Sequence, residues 1–529
     1  MDNHKNRNED NPSMKLTEVK DQANTVIESK TSEKNIFDGK LEPNHGPTEE
    51  MQSSNRDASP ANAPKNRRYT VLSEKEKIFT ISIFATMNVL IFFSSTMYLP
   101  ALESMGKTLK VSTSKMYLTI TAYMVTQGIA PLFTGYLSDI KGRRPILFVC
   151  FSISLACNIG LARQTSFAAL ISLRCIQSVG TTGASVITIA AIIDIVARSE
   201  RGKYMAYSTM GSTIGTSVGP VVGGILTQYL GWRSVFWFLA VFSGIAILLL
   251  VIFLQETCRA VVGNGSIPPQ PWNKTLIRRR KSITPNYETQ TKFRNPPRIV
   301  DSIKLLGDKQ IGILILFWCL VNWGQAAVQI SIPILMTKNY GFNSLQVGLC
   351  FIPMAVGGIA ARWSVGTFAD WNFRRLARQV GVDVQRNQQT KEDLEKMPLE
   401  KVRLQIAFPA FYLSCIFLIG YSWTLAYNLH IAAPLIFLFF LGNAGVGATN
   451  VLAALIMDMQ AYQPGMTRAS MNMGRCLPIA GVAAGINPAI QVIGLGWLGT
   501  LFAGCWLVFF AGAVGCIFSW GGMEKRTEE

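Results

Sequence analysis

The sequence predicts an all-α membrane protein of twelve transmembrane helices arranged as two repeated six-helix halves. The chain has 529 residues, 49% of them hydrophobic and only 16% charged, with a mean hydropathy of +0.26, which is too apolar for a soluble protein of this length. About twelve segments reach the roughly 20 residues that a helix needs to cross the hydrocarbon layer. Two pairs of motifs also recur at equivalent places in the two halves.

Residues 1–76 are rich in Asn, Lys, Glu, Ser and Pro and hold too few apolar groups to offset the entropy of ordering, so they read as a disordered cytoplasmic tail without a cleavable secretory pattern. The expected spans, numbered as helices 1 to 12, are 78–102, 115–137, 146–163, 167–193, 204–226 and 233–254, then 311–336, 345–369, 404–423, 431–457, 467–493 and 497–520. Residues 77–255 thus form an N-terminal bundle, 256–309 a cytoplasmic central loop, 310–522 a C-terminal bundle and 523–529 a second cytoplasmic tail.

Basic residues mark alternate connections. Lys75 and Lys77 precede helix 1, Lys141, Arg143 and Arg144 follow helix 2, Arg198, Arg201 and Lys203 follow helix 4, "IRRRKS" follows helix 6, and Arg374, Arg375 and Arg378 follow helix 8. Such connections stay in the cytoplasm, which places both termini there. The connection after helix 1 is the exception, with Lys107, Lys110 and Lys115. The net charge of +18 is therefore topological, and no nucleic-acid partner is expected. The ten cysteines lack paired or metal-ligand spacing, so neither disulfides nor a metal centre is expected.

The repeat is specific. "GYLSDIKGRR" (135–144) and "GTFADWNFRR" (366–375) share G-x-x-x-D-x-x-x-R-R at the end of the second helix of each half. "GASVITIAAIIDIV" (183–196) and "GATNVLAALIMDMQ" (447–460) close the fourth helix of each half with an acid, Asp194 or Asp458. Six-helix halves related in this way resemble the architecture of the major facilitator transporters, which implies a substrate site between the halves near the midplane.

"GYLSDIKGRRP" resembles the loop motif between helices 2 and 3 of the major facilitator superfamily. "LRCIQSVGTTG" resembles its R-x-x-Q-G-x-G motif, with Ser178 in place of a glycine, and "GSTIGTSVGPVVGGI" matches the G-P-x-x-G-G motif of its antiporters. Together with "TITAYMVTQGIAP", "QETCRAVVGNGS", "MNMGRCLPIAG" and "IGLGW", these motifs make the chain similar to the fungal twelve-span drug:proton antiporter branch, with its quinidine-resistance-type transporters and organic-acid exporters, from residue 78 onward. Gln255 and Cys258 depart from that branch's sixth-helix motif. The resemblance implies a major facilitator fold and a proton-coupled exporter working by alternating access. It further implies that Asp139, with Gly135, Arg143 and Arg144, latches the halves on the cytoplasmic side, with Asp370 and Arg374 as the repeat's echo.

Read without the family, Gly211, Gly215, Gly219 and Gly223 lie on one face of helix 5 at a spacing that admits a close neighbouring backbone, flanked by Gly224, and Pro220 removes one intrahelical hydrogen bond. Asp139 opposes the dipole at the end of its helix and wants a cation, which Arg143 supplies one turn later. No Asp or Glu falls deep in any expected span, whereas Arg174, Arg362 and Arg475 do. Intramembrane arginines face a cavity or a partner. Arg362 is near enough to the end of its helix to snorkel, so Arg174, with Gln177 one turn on, and Arg475 are the stronger candidates for substrate or coupling residues. Glu103, at the outer end of helix 1, is an available partner for Arg174. Asn88, Asn322, Gln325, Gln329, Asn443, Asn450 and Asn472 complete a candidate polar lining.

The N-x-S/T triplets at Asn264 and Asn273 lie in the cytoplasmic loop and are expected to stay bare. No nucleotide loop, metal-ligand helix or nucleophile arrangement appears, which argues against an enzyme. The leading function is a multi-pass plasma-membrane antiporter that exports drugs, toxic or secondary metabolites or organic acids. It would act as a monomer without a cofactor, with small molecules, protons and the lipid bilayer as its partners. The arginines favour anionic or neutral-polar substrates over permanent cations. An uncoupled facilitator of organic anions and a non-transporting membrane sensor remain open.

Overall fold

The computed structural model describes residues 70–196, 201–263, 304–380, 399–459 and 464–509, together with isolated positions between 265 and 275. Among these residues the secondary structure is helical. Twelve helices, α1 to α12, carry the fold: Glu74–Thr96, Thr113–Lys141, Arg143–Arg163, Phe167–Ile195, Arg201–Leu230, Arg233–Phe253, Lys309–Tyr340, Ile352–Val380, Leu399–Ala426, Ala432–Met459, Pro464–Ile493 and Leu495–Phe509. Nine spans among the described residues are long and apolar enough to cross a membrane. The helices α2 and α5 fall short in apolarity and not in length: at 29 and 30 residues they rise about 44 Å. Their Thr, Ser and Gly residues lower the hydropathy because both helices face the other half and are not wrapped in lipid alone.

Local chemistry sets the helix ends. Ser73 and Glu76 form a capping box that opens α1, and Asp308 accepts the Ile311 amide at 3.0 Å in the first turn of α7. Gly142, at φ +104°, lets α2 stop and α3 start without a loop. Asn343 and Gln346 cap the one-turn helix Ser344–Leu349, a separate piece before α8.

In the N-terminal half α1 packs on α5, α2 on α4, and α3 on α4 and α6. In the C-terminal half α7 packs on α11, and α8 and α9 pack on α10. The glycine stripe makes the close backbone contact expected from its spacing, and the structure gives α1 as the partner. A Cβ on Gly211 or Gly223 would meet the backbone carbonyl of Ala85 or Met97, and one on Gly219 would meet the Thr96 hydroxyl. Gly224 sits one residue off that face, against the Ser344 carbonyl, where α5 touches the other half.

The halves meet along two lines. The first joins α5 to the Ser344–Leu349 helix and to α8, and the second joins α2 to α11. Along α2, Asn487 Nδ2 donates to Ser114 Oγ at 2.8 Å, Thr121 Oγ1 to the Ala480 carbonyl at 3.1 Å, and Asn472 Nδ2 to the Gln127 carbonyl at 3.0 Å. Gln127 can accept that bond because Pro131, four residues on, has no N–H to offer it. In α11 the same logic frees the Gly474 carbonyl opposite Pro478, and Trp323 Nε1 of α7 takes it at 3.3 Å.

Candidate functional site

A cavity of about 730 Å³ lies between the halves. Its N-terminal wall is made of hydroxyls: Ser212, Thr213, Thr216 and Ser217 fall on one face of α5, with Thr96 beside them. The C-terminal wall carries Arg362 of α8, Arg403 of α9, Arg468 of α11 and Asn450 of α10 among apolar residues such as Phe351, Met354 and Met457. Arg403 and Arg468 belong to the first turns of their helices, at the end of the bundle that bears the Gly135–Pro145 turn, so the cavity extends toward that basic end. No Asp or Glu is part of the described lining. Arg362 Nη2 donates to Thr213 Oγ1, a bond that crosses from one half to the other.

These positions correct the expectation for Arg362, which projects into the cavity and does not snorkel to the end of α8. They also add Arg403, Arg468 and the α5 hydroxyls, which the sequence reading passed over. A signal existed for each. Arginines in a helix's first turns oppose its dipole, and hydroxyls at positions i, i+1, i+4 and i+5 share one helical face.

Arg174 is placed differently from the expectation. It is 1% exposed and lies inside the N-terminal bundle, outside the cavity lining. Its guanidinium sits 4.1 Å from the Tyr98 ring centre and 4.3 Å from that of Tyr123, a cation–π clasp from both sides. Nη1 donates to the Ser94 carbonyl at 3.0 Å and to Gln177 Oε1 at 2.7 Å. Gln177 Nε2 then donates to Asn158 Oδ1 at 2.6 Å, and Asn158 Nδ2 to Ser243 Oγ at 3.3 Å, so a polar chain ties α1, α4, α3 and α6 together. Glu103 pairs with Lys107 at 2.7 Å, one turn along its own short helix Leu102–Leu109, and not with Arg174. Ser178, at the glycine position of the motif, donates to the Tyr123 carbonyl at 2.8 Å and fastens α4 to α2.

The remaining candidates are scattered. Asn450 and Gln329 line the cavity. Asn88 accepts from Thr188 within the N-terminal half at 3.2 Å, Asn322 Nδ2 donates back to the Trp318 carbonyl one turn earlier in its own helix, and Asn443 exchanges bonds with Ser364. Gln325 is buried beside Gly445. Asn472 holds the α2–α11 joint, and Arg475 Nη2 donates to Asn472 Oδ1 at 3.3 Å, so this arginine orients the joint's amide.

At the basic end, Arg143 gathers three acceptors: Asp139 one turn away, Asp194 Oδ2 at 3.1 Å through Nε, and Ser138 Oγ at 2.7 Å through Nη1. All of these groups belong to the N-terminal half, so the described partners of Asp139 and Arg143 bind α2, α3 and α4 to each other. Glu256, just past α6, caps α3: its carboxylate accepts the Arg143 amide at 2.8 Å, the Arg144 amide at 3.2 Å and Asn273 Nδ2 at 2.7 Å. Arg144 in turn donates to the Val251 carbonyl at 3.1 Å and to Asn273 Oδ1 at 3.4 Å. Asn273 is 2% exposed, so its amide is occupied in the folded chain. In the repeat's second copy Arg374 is exposed. The side chains of Asp370 and Asp458, residues 1–69, Asn264, the "IRRRKS" run and residues 510–529 lie outside the described set.

The family model of the Major Facilitator Superfamily matches residues 84–485. An MFS-type transporter of a Phoma species is 38% identical over 441 residues, covering 83% of this chain and 84% of the relative. The MFS-type transporter clz19 of Cochliobolus lunatus is 37% identical over 442 residues, 83% and 84% of the two chains. Citrate exporter 1 of Aspergillus niger is 29% identical over 466 residues, 86% of this chain and 88% of the relative. Among solved structures, the human organic anion transporter MFSD10 aligns with a TM-score of 0.54 at 16% identity, covering 84% of this chain and all of that one.

Proposed function

Because the chain belongs to the major facilitator superfamily and is a multi-pass membrane transporter, we propose that it exports small organic anions from the cytoplasm, with the proton gradient as the driving force. The observation that carries the substrate class is the cavity wall, to which three arginines, Arg362, Arg403 and Arg468, contribute and to which the described lining adds no Asp or Glu. A guanidinium offers a carboxylate two parallel donors and keeps its charge at any cellular pH. Ser212, Thr216 and Ser217 of α5 line the opposite wall with neutral hydroxyl oxygens, which suits a substrate carrying hydroxyl groups beside its charge. A lipophilic cation entering this space would meet like charge at Arg362 and find no carboxylate among the described lining residues. The relative named a citrate exporter accords with this reading.

The basic connections put the cavity's mouth in the cytoplasm, as an exporter awaiting cargo requires. The proton-coupled reading leans on the antiporter-like motif of α5. The absence of a carboxylate from the described lining favours a second reading, uncoupled facilitation, because none of the described lining residues is an acid able to carry the proton. One experiment separates them. Purified protein in sealed vesicles is given carboxylates, neutral solutes and quaternary cations, with and without a pH gradient. Carboxylate accumulation that follows the gradient supports the antiporter, accumulation indifferent to it supports the facilitator, and transport confined to cations overturns the anionic reading.

A further inference from the structure

The geometry points to Thr213 as the stand-in for the substrate's carboxylate: its hydroxyl holds Arg362 while the carrier is empty and yields that guanidinium when an anion arrives. The inference rests on the anionic reading above and concerns the empty carrier, which that reading leaves undescribed.

Arg362 reaches from α8 across the cavity to Thr213 on α5, so the bond spans the two bodies that must rock against each other. Other hydroxyls of the wall that bears Thr213 are already engaged with backbone carbonyls: Thr96 Oγ1 donates to the Phe92 carbonyl at 2.9 Å and the Gly215 carbonyl at 3.1 Å. Thr216 Oγ1 donates back to the Ser212 and Thr213 carbonyls, each at 3.0 Å. A transporter that alternates must close its cavity on the loaded leg and again on the empty one. On the loaded leg a carboxylate accompanies Arg362. On the empty leg the guanidinium enters the closing, water-poor space alone, and an unpaired charge there raises the barrier. The threonine oxygen supplies an acceptor on that leg. Being neutral, it is weaker than a carboxylate, which accepts charge-assisted and bidentate bonds, so substrate displaces it. Thr213 thereby lowers the barrier to empty return at the expense of some substrate affinity.

The test separates legs that share the same protein. In vesicles, net export requires empty return, whereas exchange of labelled for unlabelled substrate does not. The probes are radiolabelled citrate and succinate, with rates normalised to reconstituted protein. Thr213→Val keeps the side chain's shape and removes its oxygen. It is expected to slow net export about tenfold, the scale of one hydrogen bond to a charged group, while exchange falls less than about twofold and the KM for exchange drops. Thr213→Ser, which retains the oxygen, is expected to restore net export. Net export and exchange falling together, or neither changing, would overturn the inference while leaving the anionic reading intact. A parent protein that moves neither carboxylate would overturn both.

Discussion

Arg174 of α4 and Arg362 of α8 both lie about two turns or more inside a membrane-crossing helix, yet the two halves use them in opposite ways. In the N-terminal half two tyrosine rings flank the guanidinium, a backbone carbonyl and Gln177 accept from its Nη1, and the bundle closes over it. In the C-terminal half the guanidinium projects into a cavity and leans on one threonine of the opposite half. The difference lies in how many acceptors the neighbouring helices bring within reach, not in the helix that bears the charge. An enclosed arginine holds its bundle together, and one that projects into a cavity is available to a ligand.

Substitutions at the two sites are therefore expected to fail in different assays. The largest effect belongs to Arg174→Leu, which strips donors from the Ser94 carbonyl and Gln177 and removes the ring clasp. A loss of about 3 kcal/mol or more should appear as a vanished monodisperse peak and a collapsed melting transition in detergent. Retention of both would show that the bundle does not depend on this arginine and would erase the contrast.

Next comes the glycine stripe of α5. Gly223→Ala drives a methyl into the Met97 backbone and should destabilise by about 1–3 kcal/mol, whereas Gly481→Ala, with open space at its Cβ, should leave the melting temperature unchanged.

Arg362→Gln sharpens the comparison from the other side. Protein abundance and melting temperature should match the parent, while carboxylate export falls at least about tenfold, the equivalent of one charge-assisted bond. A fall in abundance matching the fall in transport would make Arg362 a structural residue like Arg174.

A finer difference in stability separates the two acids that share Arg143. Asp194 is 14% exposed and Asp139 is 39% exposed. Asp194→Asn should lower the melting temperature more than Asp139→Asn, which should cost under about 1 kcal/mol because solvent already screens it. Equal shifts would place both acids in one environment.

Much of the fold was legible because it is written in composition and period. The apolar runs marked the spans, the four-residue glycine spacing marked a close backbone contact, and the paired motifs marked the halves. The site was less legible, for a definite reason. The tyrosines that enclose Arg174 come from the turn after α1 and from α2, so the arginine's own helix cannot announce that it is already enclosed. Arg403 and Arg468 were overlooked because they lie in the first turns of helices, where a basic residue ordinarily marks topology. The hydroxyls of α5 were hidden among the glycines, whose packing role is the louder pattern. Glu256 and Asn273 looked like loop residues, and their role as the cap of α3 depends on a meeting of segments far apart in the chain.

The joint between α2 and α11 has a genetic consequence. Asn472 binds the main chain at position 127, so the side chain there is irrelevant to the bond and replacing Gln127 by almost any residue leaves it intact. What encodes the acceptor is Pro131, through a hydrogen it does not have. An alanine scan would misread both positions, scoring 127 as silent and treating 131 as a matter of helix shape. Pro131→Ala would instead restore a competing donor inside α2, so a coupling between positions 131 and 472 is the form in which this contact would surface in a double-mutant cycle.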